Sequence, residues 1–366
     1  MSQNNASYQE RRKALGQVAR ETVAMTPQVA AALPHLAPTV SETFDLTGFP
    51  PLDAARCPRF TLTDADGQTS CGTLVRVVNY DSFDAAIRMP RDVLDISIQG
   101  QSTRDCDAAG LAELRTAALA PDSLDAVTAP RPAVLNMASE KSMYPTRQLG
   151  GALIDEERIT DPGGGWLGGA AAQEEALCFR STLAASLHRR LYPIATRAGL
   201  YTRDVIIFRK SISDSHAHMM PETPADTLPV VSVLTVAGVR RPAVNKVGDG
   251  AHQKLVFANA ADRSITKDKM RLCLRMAAFR GHAMLVLGAL GCGAFKNPPE
   301  EVAACWKEVL CEPEFSGGWF KMVWFAVYDR KNDGNFPIFK EVLDGKTFGV
   351  TKVDTNDKDD IKNKAD

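Results

Sequence analysis

From about residue 132 onward, apolar residues fall into continuous runs, with little of the alternation that half-exposed strands show. Runs of this kind are typical of strands covered on both faces. Five of them are predicted to be strands: residues 132–139, 205–208, 230–239, 284–290 and 322–328. Residues 73–89 predict a further strand, a turn at 79–81 and a helix capped by Asp81 or Ser82.

Helical patterns lie between these runs, at residues 170–191, 267–280 and 299–310. Strands that alternate with helices predict a mostly parallel or mixed sheet between two helical layers. The fold class is therefore α/β, a three-layer α/β/α sandwich with a mixed sheet.

The segments outside this pattern are predicted to be extensions and insertions. Residues 5–33 predict an N-terminal helix that ends before Pro34, and the proline-rich stretch 34–58 predicts extended or irregular chain. One further helix is expected near residues 108–120. Residues 140–160 and 211–228 interrupt the pattern and are expected to be surface insertions. The polar residues 352–366 are expected to be disordered. We therefore divide the chain into an N-terminal helical and extended region packed on the core (1–72), the main domain (73–348) and a tail (352–366).

Composition narrows the class of protein. The chain has 366 residues, 45% hydrophobic residues and a formal net charge of −1, which argues against a protein held on nucleic acid by bulk charge. No apolar run approaches the length of a membrane span, and the first residues lack the apolar core of a secretory signal. The eight cysteines form no CxxC pair, which favours reduced thiols over a zinc site. We expect a monomer in the cytoplasm or nucleus, with no membrane partner and no direct bulk nucleic-acid binding.

The first segment with candidate functional residues is 161–187. The consecutive glycines Gly163, Gly164 and Gly165 let the backbone approach a ligand closely, and the following helix carries Gln173, Glu174 and Glu175 in its first turns. A glycine-rich loop that leads into a helix N-terminus is a ready anion site. Taken without the glycine loop, the paired glutamates are more typical of a solvated helix start than of a catalytic site.

A second glycine segment lies in residues 285–299. A buried strand ends in Gly288, Gly291 and Gly293, and Phe295 follows before a predicted helix. Open α/β sheets place phosphate ligands in such positions, although the spacing fits neither a dinucleotide fingerprint nor a P-loop. A single loop of this kind is explained equally well by a tight connection that needs glycine. Two of them could hold one diphosphate from both sides.

At this level of detail the chain resembles a known family. GGG, seven residues and QEE resemble the signature of poly(ADP-ribose) glycohydrolases, which have the macrodomain fold. VLNMAS at 134–139, AQEEALCFRSTL at 172–183, LGALGCGAFKNPPEEVA at 287–303 and FKMVWFAVYD at 320–329 resemble the microbial-type branch. The resemblance is strong over residues 133–329 and faint over 10–90.

The resemblance implies a role for each matching residue. Asn136 would contact the distal ribose, Glu174 would position ribose hydroxyls, and Glu175 would be the catalytic acid. It implies a ligand-binding set of Asn136, Gly163, Gly164, Gly165, Gln173, Gly288, Gly291, Cys292, Gly293, Ala294 and Phe295. Neither a cofactor nor a metal is expected.

The implied reaction is hydrolysis of the ribose–ribose O-glycosidic bonds of poly(ADP-ribose), from chain ends, releasing ADP-ribose. ADP-ribose and poly(ADP-ribose), including polymer on modified proteins, are the expected partners. Two alternatives stay open: a hydrolase of mono-ADP-ribose, and a reader that binds ADP-ribose without cleaving it. The insertion at 140–160 and Asp161 before Pro162 depart from the family pattern and bear most on the substrate.

Three weaker signals have competing interpretations. The HAH at 216–218 is interpreted as a solvated loop rather than a metal pair. Trp166 could shield the site or pack in the core. Tyr80 and Phe83 could approach adenine, but core packing is favoured.

Overall fold

The structure is a computed structural model, and it describes residues 2–63, 68–90, 131–140, 165–249, 253–330 and 334–352. Several sequence-based expectations lie outside these residues. They are the helix near 108–120, nearly all of the insertion at 140–160, two glycines of the triplet (Gly163 and Gly164) and the tail.

The strands form one large sheet and one hairpin. Their bounds are β1 Glu42–Asp45, β2 Thr61–Thr63, β3 Thr69–Val78, β4 Ala133–Ala138, β5 Ala198–Ile206, β6 Val230–Ala237, β7 Val244–Val247, β8 Lys254–Phe257, β9 Met284–Leu287, β10 Met322–Ala326 and β11 Thr347–Lys352. Within the described residues the large sheet has the order β1-β5-β6-β4-β9-β10-β3-β11, with β2 also on β3, and β7 pairs with β8.

The centre of the large sheet is parallel and its margins are antiparallel. Neighbouring strands from β6 through β4, β9 and β10 to β3 all pair in parallel. Strands β5, β1, β11 and β2 pair antiparallel at the two sides. The carboxyl ends of the five central strands therefore meet at one edge, where α/β sheets bind ligands.

Helices cover both faces of this sheet. Their bounds are α1 Ser2–Ala32, α2 over residues 82–90, α3 Gln173–Arg180, α4 Ala260–Phe279, α5 Pro299–Leu310 and α6 Asn335–Leu343. The core on one face includes residues of α1, α2 and α3, and the core on the other includes residues of α4, α5 and α6. Along β4 the side chains alternate between these cores, Val134 in one and Leu135 in the other. The predicted α/β/α sandwich with a mixed sheet is confirmed.

The N-terminal region is part of this architecture. Leu15 and Ala19 of α1 lie in a main core. Strand β1, within the stretch 34–58 expected to be extended or irregular, joins the sheet itself, and so does β2, which follows that stretch. Residues 1–72 therefore contribute to the sheet as well as packing on it.

The predicted helix over 170–191 is wrong in its length. Helix α3 begins at Gln173 and ends at Arg180, and Ser181 is extended at φ −151°. Ser181 forms a bridge with Ile207, and its hydroxyl accepts from Leu183 N to start a separate 3-10 turn. A tertiary contact thus ends the helix where the local sequence would continue it.

Two other boundaries differ from the prediction. Strand β5 starts at Ala198 rather than at residue 205, because its first half pairs with both β1 and β6. Helix α4 starts at Ala260 rather than at residue 267, because the side chain of Asn259 accepts from Ala261 N and caps the earlier start. No helix in the described ranges combines the length and apolar character that a membrane crossing requires.

Candidate functional site

The side chain of Gln173 joins the start of α3 to the carboxyl half of β4. Strand β4 pairs with β9 only at Ala133 and Val134. Beyond them, Gln173 Nε2 donates to Leu135 O at 2.8 Å, and Gln173 Oε1 accepts from Met137 N at 2.9 Å. The amide therefore continues the β4 ladder, which fixes the helix start against the sheet edge. Its Nε2 also donates to Ser82 Oγ at 3.1 Å, so α2 is tied to the same point.

The carboxylate of Glu174 points at the sheet. Glu174 Oε1 accepts from Asn136 Nδ2 at 3.3 Å, and Glu174 Oε2 accepts from Ser139 N at 3.0 Å. Asn136 Nδ2 also donates to Thr235 Oγ1 at 3.2 Å, whereas Asn136 Oδ1 is buried with no hydrogen-bond partner among the described residues. The unpaired oxygen belongs to the residue that the resemblance assigns to ribose binding.

The carboxylate of Glu175 points a different way. Glu175 Oε2 accepts from Ala172 N at 2.9 Å, so this side chain satisfies a free backbone N–H at the start of its own helix. Glu174 and Glu175 are both about 3% exposed or less. Their divergence follows from the rotation of about 100° between consecutive helix residues, and it gives the two carboxylates separate surroundings.

The first glycine segment packs against α1. Gly165 has φ +141° and Gly169 has φ +79°. A Cβ on Gly169 would lie 2.0 Å from Arg12 O, and Arg12 Nε donates to Gly168 O at 3.0 Å. Trp166, 1% exposed, packs against Phe179 with 5.9 Å between ring centroids. This geometry favours core packing over shielding of the site as the role of Trp166.

The second glycine segment is held by a residue that the sequence reasoning missed. Asn297 Nδ2 donates to Val239 O at 2.6 Å and to Gly291 O at 3.1 Å, which ties this loop to the end of β6. A Cβ on Gly291, where φ is +75°, would lie 2.4 Å from that Nδ2. A Cβ on Gly238 would lie 3.0 Å from Gly291 Cα. The two loops at this edge therefore touch backbone to backbone, which only glycine permits.

The remaining predicted residues of this loop differ in exposure. Gly293 and Ala294 are exposed, and Phe295 is half-buried with the Arg240 guanidinium 5.9 Å from its ring centroid. Cys292 is buried, and this burial raises the pKa of its thiol. At Gly288, a Cβ would lie 3.1 Å from Met137 Cε, which brings the loop against the end of β4.

A cavity of about 310 Å³ opens between these elements. Ala172 and Gln173 line it on the α3 side, and Ala289 and Gly293 line it on the side of the second glycine segment. Asn136, Glu174 and Glu175 are not among its lining residues. Each of them is next in the chain to a residue that does line it.

The interpretation of HAH as a solvated loop is wrong for its first histidine. His216 is 4% exposed, lines the cavity and packs against Phe179 with 5.4 Å between ring centroids. The stretch 211–228 is accordingly not only a surface insertion, because Leu228 is also buried in a core. Sequence alone carried little signal here, because the burial of His216 depends on contacts with residues distant in the chain, such as Phe179.

Asp81 combines a structural contact with a place in the cavity. Its carboxylate accepts from Phe83 N at 2.9 Å, which confirms it as the cap of α2, and it pairs with the buried Arg180. Burial raises the pKa of Asp81, although the nearby Arg180 favours the charged form. Phe83 is fully buried as expected, whereas Tyr80 is exposed beneath the Arg88 guanidinium, 4.3 Å from its ring centroid. Within the described ranges, no group of three or more His, Cys, Asp or Glu is placed to hold a metal ion.

Comparison with known proteins bears on this arrangement. Residues 158–213 match the family model described as microbial-type PARG, catalytic domain. This match contains the QEE segment, His216 lying just beyond it. No curated protein matches the chain by sequence.

Solved structures match most of the chain. The poly(ADP-ribose) glycohydrolase of Thermomonospora curvata is 22% identical, with a TM-score of 0.54, and the match covers 91% of this chain and 99% of that one. The same enzyme bound to the inhibitor ADP-HPD gives 22% identity and a TM-score of 0.53 over 91% and 98%. The Deinococcus radiodurans enzyme in complex with ADP-ribose gives 22% identity and a TM-score of 0.52 over 87% and 97%.

The resemblance seen in the sequence is thus confirmed: residues 158–213 are similar to the catalytic domain of microbial-type poly(ADP-ribose) glycohydrolases, and the chain has the macrodomain-like fold of the bacterial enzymes.

Proposed function

We propose that this protein is a poly(ADP-ribose) glycohydrolase that hydrolyses ribose–ribose O-glycosidic bonds and releases ADP-ribose. Glu175 is its general acid and base, and Glu174 orients the ribose. The observation that carries the proposal is the arrangement at the start of α3. There, Glu174 is bound to Asn136 and Ser139 N, and Glu175 follows it on the helix whose residues Gln173 and Ala176 line the cavity.

The hydrogen bonds of Glu174 support its role as the orienting group. They hold its carboxylate in one orientation beside Asn136 and Ser139, as an orienting group requires. The unpaired Asn136 Oδ1 is a further acceptor beside this carboxylate. The other ligand-binding positions are the glycines and Phe295 of the two segments. Their backbone N–H groups are suited to a diphosphate.

The reaction needs one carboxyl group to act twice. In its acid form, Glu175 donates a proton to the leaving ribose oxygen as the bond from that oxygen to C1″ breaks. The resulting carboxylate then takes a proton from water as the water oxygen bonds to C1″, which regenerates the acid. Glu175 Oε2 accepts from Ala172 N at 2.9 Å, which holds this carboxyl group at the start of α3. No cofactor takes part in this scheme.

The ligands we propose are ADP-ribose and poly(ADP-ribose), including polymer on modified proteins. The solved Deinococcus radiodurans enzyme was crystallised with ADP-ribose, and the Thermomonospora curvata enzyme with ADP-HPD. We also propose that the protein acts as a monomer in the cytoplasm or nucleus. The seven described cysteines are all free thiols, as in a reducing compartment.

In the deciding experiment, the purified protein is incubated with labelled poly(ADP-ribose), and the release of free ADP-ribose is measured. Wild type should release it, and Glu175→Gln should be slower by at least about 100-fold, because it lacks a transferable proton. Glu222→Gln, at an exposed position that does not line the cavity, is the matched control and should retain full activity.

Other outcomes would replace the proposal. Release from mono-ADP-ribosylated protein but not from polymer would identify a mono-ADP-ribosyl hydrolase. Binding of ADP-ribose by calorimetry without any release would identify a reader. Unchanged activity of Glu175→Gln would show that another group supplies the proton.

A further inference from the structure

The cavity extends along helix α3 beyond Gln173. Ala172, Ala176 and Phe179 all line it, and the spacing of four and then three residues places them on one stripe along α3. Ile212 and His216 line the cavity beside Phe179, whereas Ala289 and Gly293 line it beside the second glycine segment. We call the part bounded by Phe179, Ile212 and His216 the distal compartment.

His216 is an unusual residue to find in a compartment wall. It is 4% exposed, and neither of its ring nitrogens has a hydrogen-bond partner among the described residues. A buried polar group without a partner costs free energy, so native proteins leave few of them. Its neighbour His218 differs, because its side chain is 34% exposed and lies 3.9 Å from Glu21. The two histidines of HAH thus have separate environments.

The backbone holds His216 in place. Ser215 and His216 have φ of +55° and +52°, a conformation that is costly for residues other than glycine. His216 N donates to Ser211 O at 3.1 Å, and Arg209 Nη1 donates to His216 O at 2.9 Å. The turn therefore fixes the imidazole against Phe179 without using either of its nitrogens.

The position of the compartment relative to Glu175 suggests its occupant. Phe179 follows Glu175 by four residues, so their side chains lie on the same helix face, one turn apart. The proposed acid must stand at the leaving oxygen. If the ADP-ribose to be released occupies the glycine segments, the group on the other side of the bond faces the compartment.

We propose that the distal compartment binds the nucleoside of the leaving ADP-ribose unit, with its base against Phe179 and His216 as a hydrogen-bonding partner. The inference rests on the proposed function and gives the site a preference for polymer over a single ADP-ribose. Aromatic side chains are a common platform for bases. Burial and the neighbouring Arg180 and Arg209 lower the pKa of His216 to about 4. At neutral pH the ring therefore has one N–H donor and one acceptor nitrogen, and it can serve both kinds of polar atom on a nucleoside.

The test measures binding in the Glu175→Gln background, where substrate is not consumed. Calorimetry would compare ADP-ribose with its ribose–ribose-linked dimer. We expect the dimer to bind at least tenfold more tightly than ADP-ribose. Adding His216→Ala should remove this advantage while changing the ADP-ribose Kd less than twofold, and adding His218→Ala should change neither.

Three results would overturn the proposal that the distal compartment binds a nucleoside. They are equal affinities for the dimer and ADP-ribose, a tighter binding of the dimer that survives His216→Ala, and an equal loss of affinity for both ligands in that variant. Thermal unfolding would show whether His216→Ala is folded. If it is not, His216→Gly carries the same criteria, since glycine tolerates a positive φ and lacks the hydrogen-bonding side chain. The proposed function fails separately, if wild type neither binds ADP-ribose nor releases it from polymer.

Discussion

Asn136 Nδ2 lies 3.3 Å from Glu174 Oε1, so a strand residue and a helix residue 38 positions apart are joined inside the protein. Neither side chain is more than 2% exposed. The bond fixes the end of β4 and the start of α3 relative to one another. A change at Asn136 should therefore affect the stability of the fold as well as the site.

We expect Asn136→Asp to be more destabilising than Asn136→Ala at pH 7. Alanine removes the amide donor shared by Glu174 and Thr235, a loss of about 1–3 kcal/mol. Aspartate also places a second carboxylate next to Glu174, and an uncompensated buried charge costs about 3–5 kcal/mol. Urea denaturation of both variants at pH 7 and pH 5 checks this. The gap should narrow at pH 5, where one carboxyl can take up a proton, and equal losses at both pH values would contradict the expectation.

Substitutions of Glu175 should separate catalysis from stability. Glu175→Gln keeps an oxygen that can accept from Ala172 N, whereas Glu175→Ala leaves that N–H without its partner. Both variants should lose activity. The free energy of unfolding of the alanine variant should be about 1 kcal/mol lower than that of the glutamine variant. Denaturation and activity assays on the same preparations supply the two readouts. If both variants lose the same stability, the bond to Ala172 N contributes nothing measurable.

The contact between α1 and the first glycine segment should make Gly169 intolerant of a side chain. Gly169 and Gly281 have similar positive φ, +79° and +74°, but a Cβ on Gly281 would meet nothing within 4 Å. Alanine at either position pays about 1–2 kcal/mol for its conformation. Only Gly169→Ala also collides with Arg12 O, so we expect it to cost at least about 2 kcal/mol more. Urea denaturation of the pair isolates this contact, and similar losses in the two variants would show that α1 moves away without cost.

Acid should destabilise the fold through His282. Its Nδ1 lies 3.0 Å from Arg131 O and its Nε2 lies 3.0 Å from the Tyr201 hydroxyl. Burial, with the cations Arg131 and Arg280 nearby, lowers its pKa to about 4. In the unfolded chain its pKa is about 6.5, so only the unfolded state takes up a proton between these values. The contribution of His282 is therefore complete above pH 6.5 and falls as the pH drops, by about 2 kcal/mol between pH 7 and pH 5.

The variant His282→Asn provides the matching measurement. It removes the titrating ring, so its unfolding free energy should be lower at pH 7 but should change less between pH 7 and pH 5. Urea denaturation at both pH values gives the two slopes. An equal slope in wild type and His282→Asn would assign the acid sensitivity to other groups, such as His216.

The sequence predicts the parts of the fold whose burial is uniform. Strands β4, β6, β9 and β10 are covered on both faces, so each appears as an unbroken apolar run. The end of helix α3 is not predicted by the sequence, because it depends on the pairing of Ser181 with Ile207. These residues are 26 positions apart, and local periodicity carries no information about such a contact. The start of α4 was misjudged because its first turns are polar and exposed.

The candidate site, like the fold, could be predicted from the sequence only in part. The order of glycines and glutamates identified Glu174 and Glu175, because those residue types follow one another along the chain. It did not identify Asn297, whose importance comes from two backbone carbonyls in separate loops. Nor did it identify the burial of His216, which depends on how residues 211–228 fold back on Phe179.

The contact between Arg12 and Gly168 joins residues 156 positions apart, and this separation has a consequence for how the chain folds. Contacts between distant residues carry a large loop-closure cost and slow the folding of proteins that depend on them. The glycine segment cannot reach its final shape until the first helix has docked on it. The refolding protein should therefore recover its helices and sheet before it recovers its ability to bind ligand.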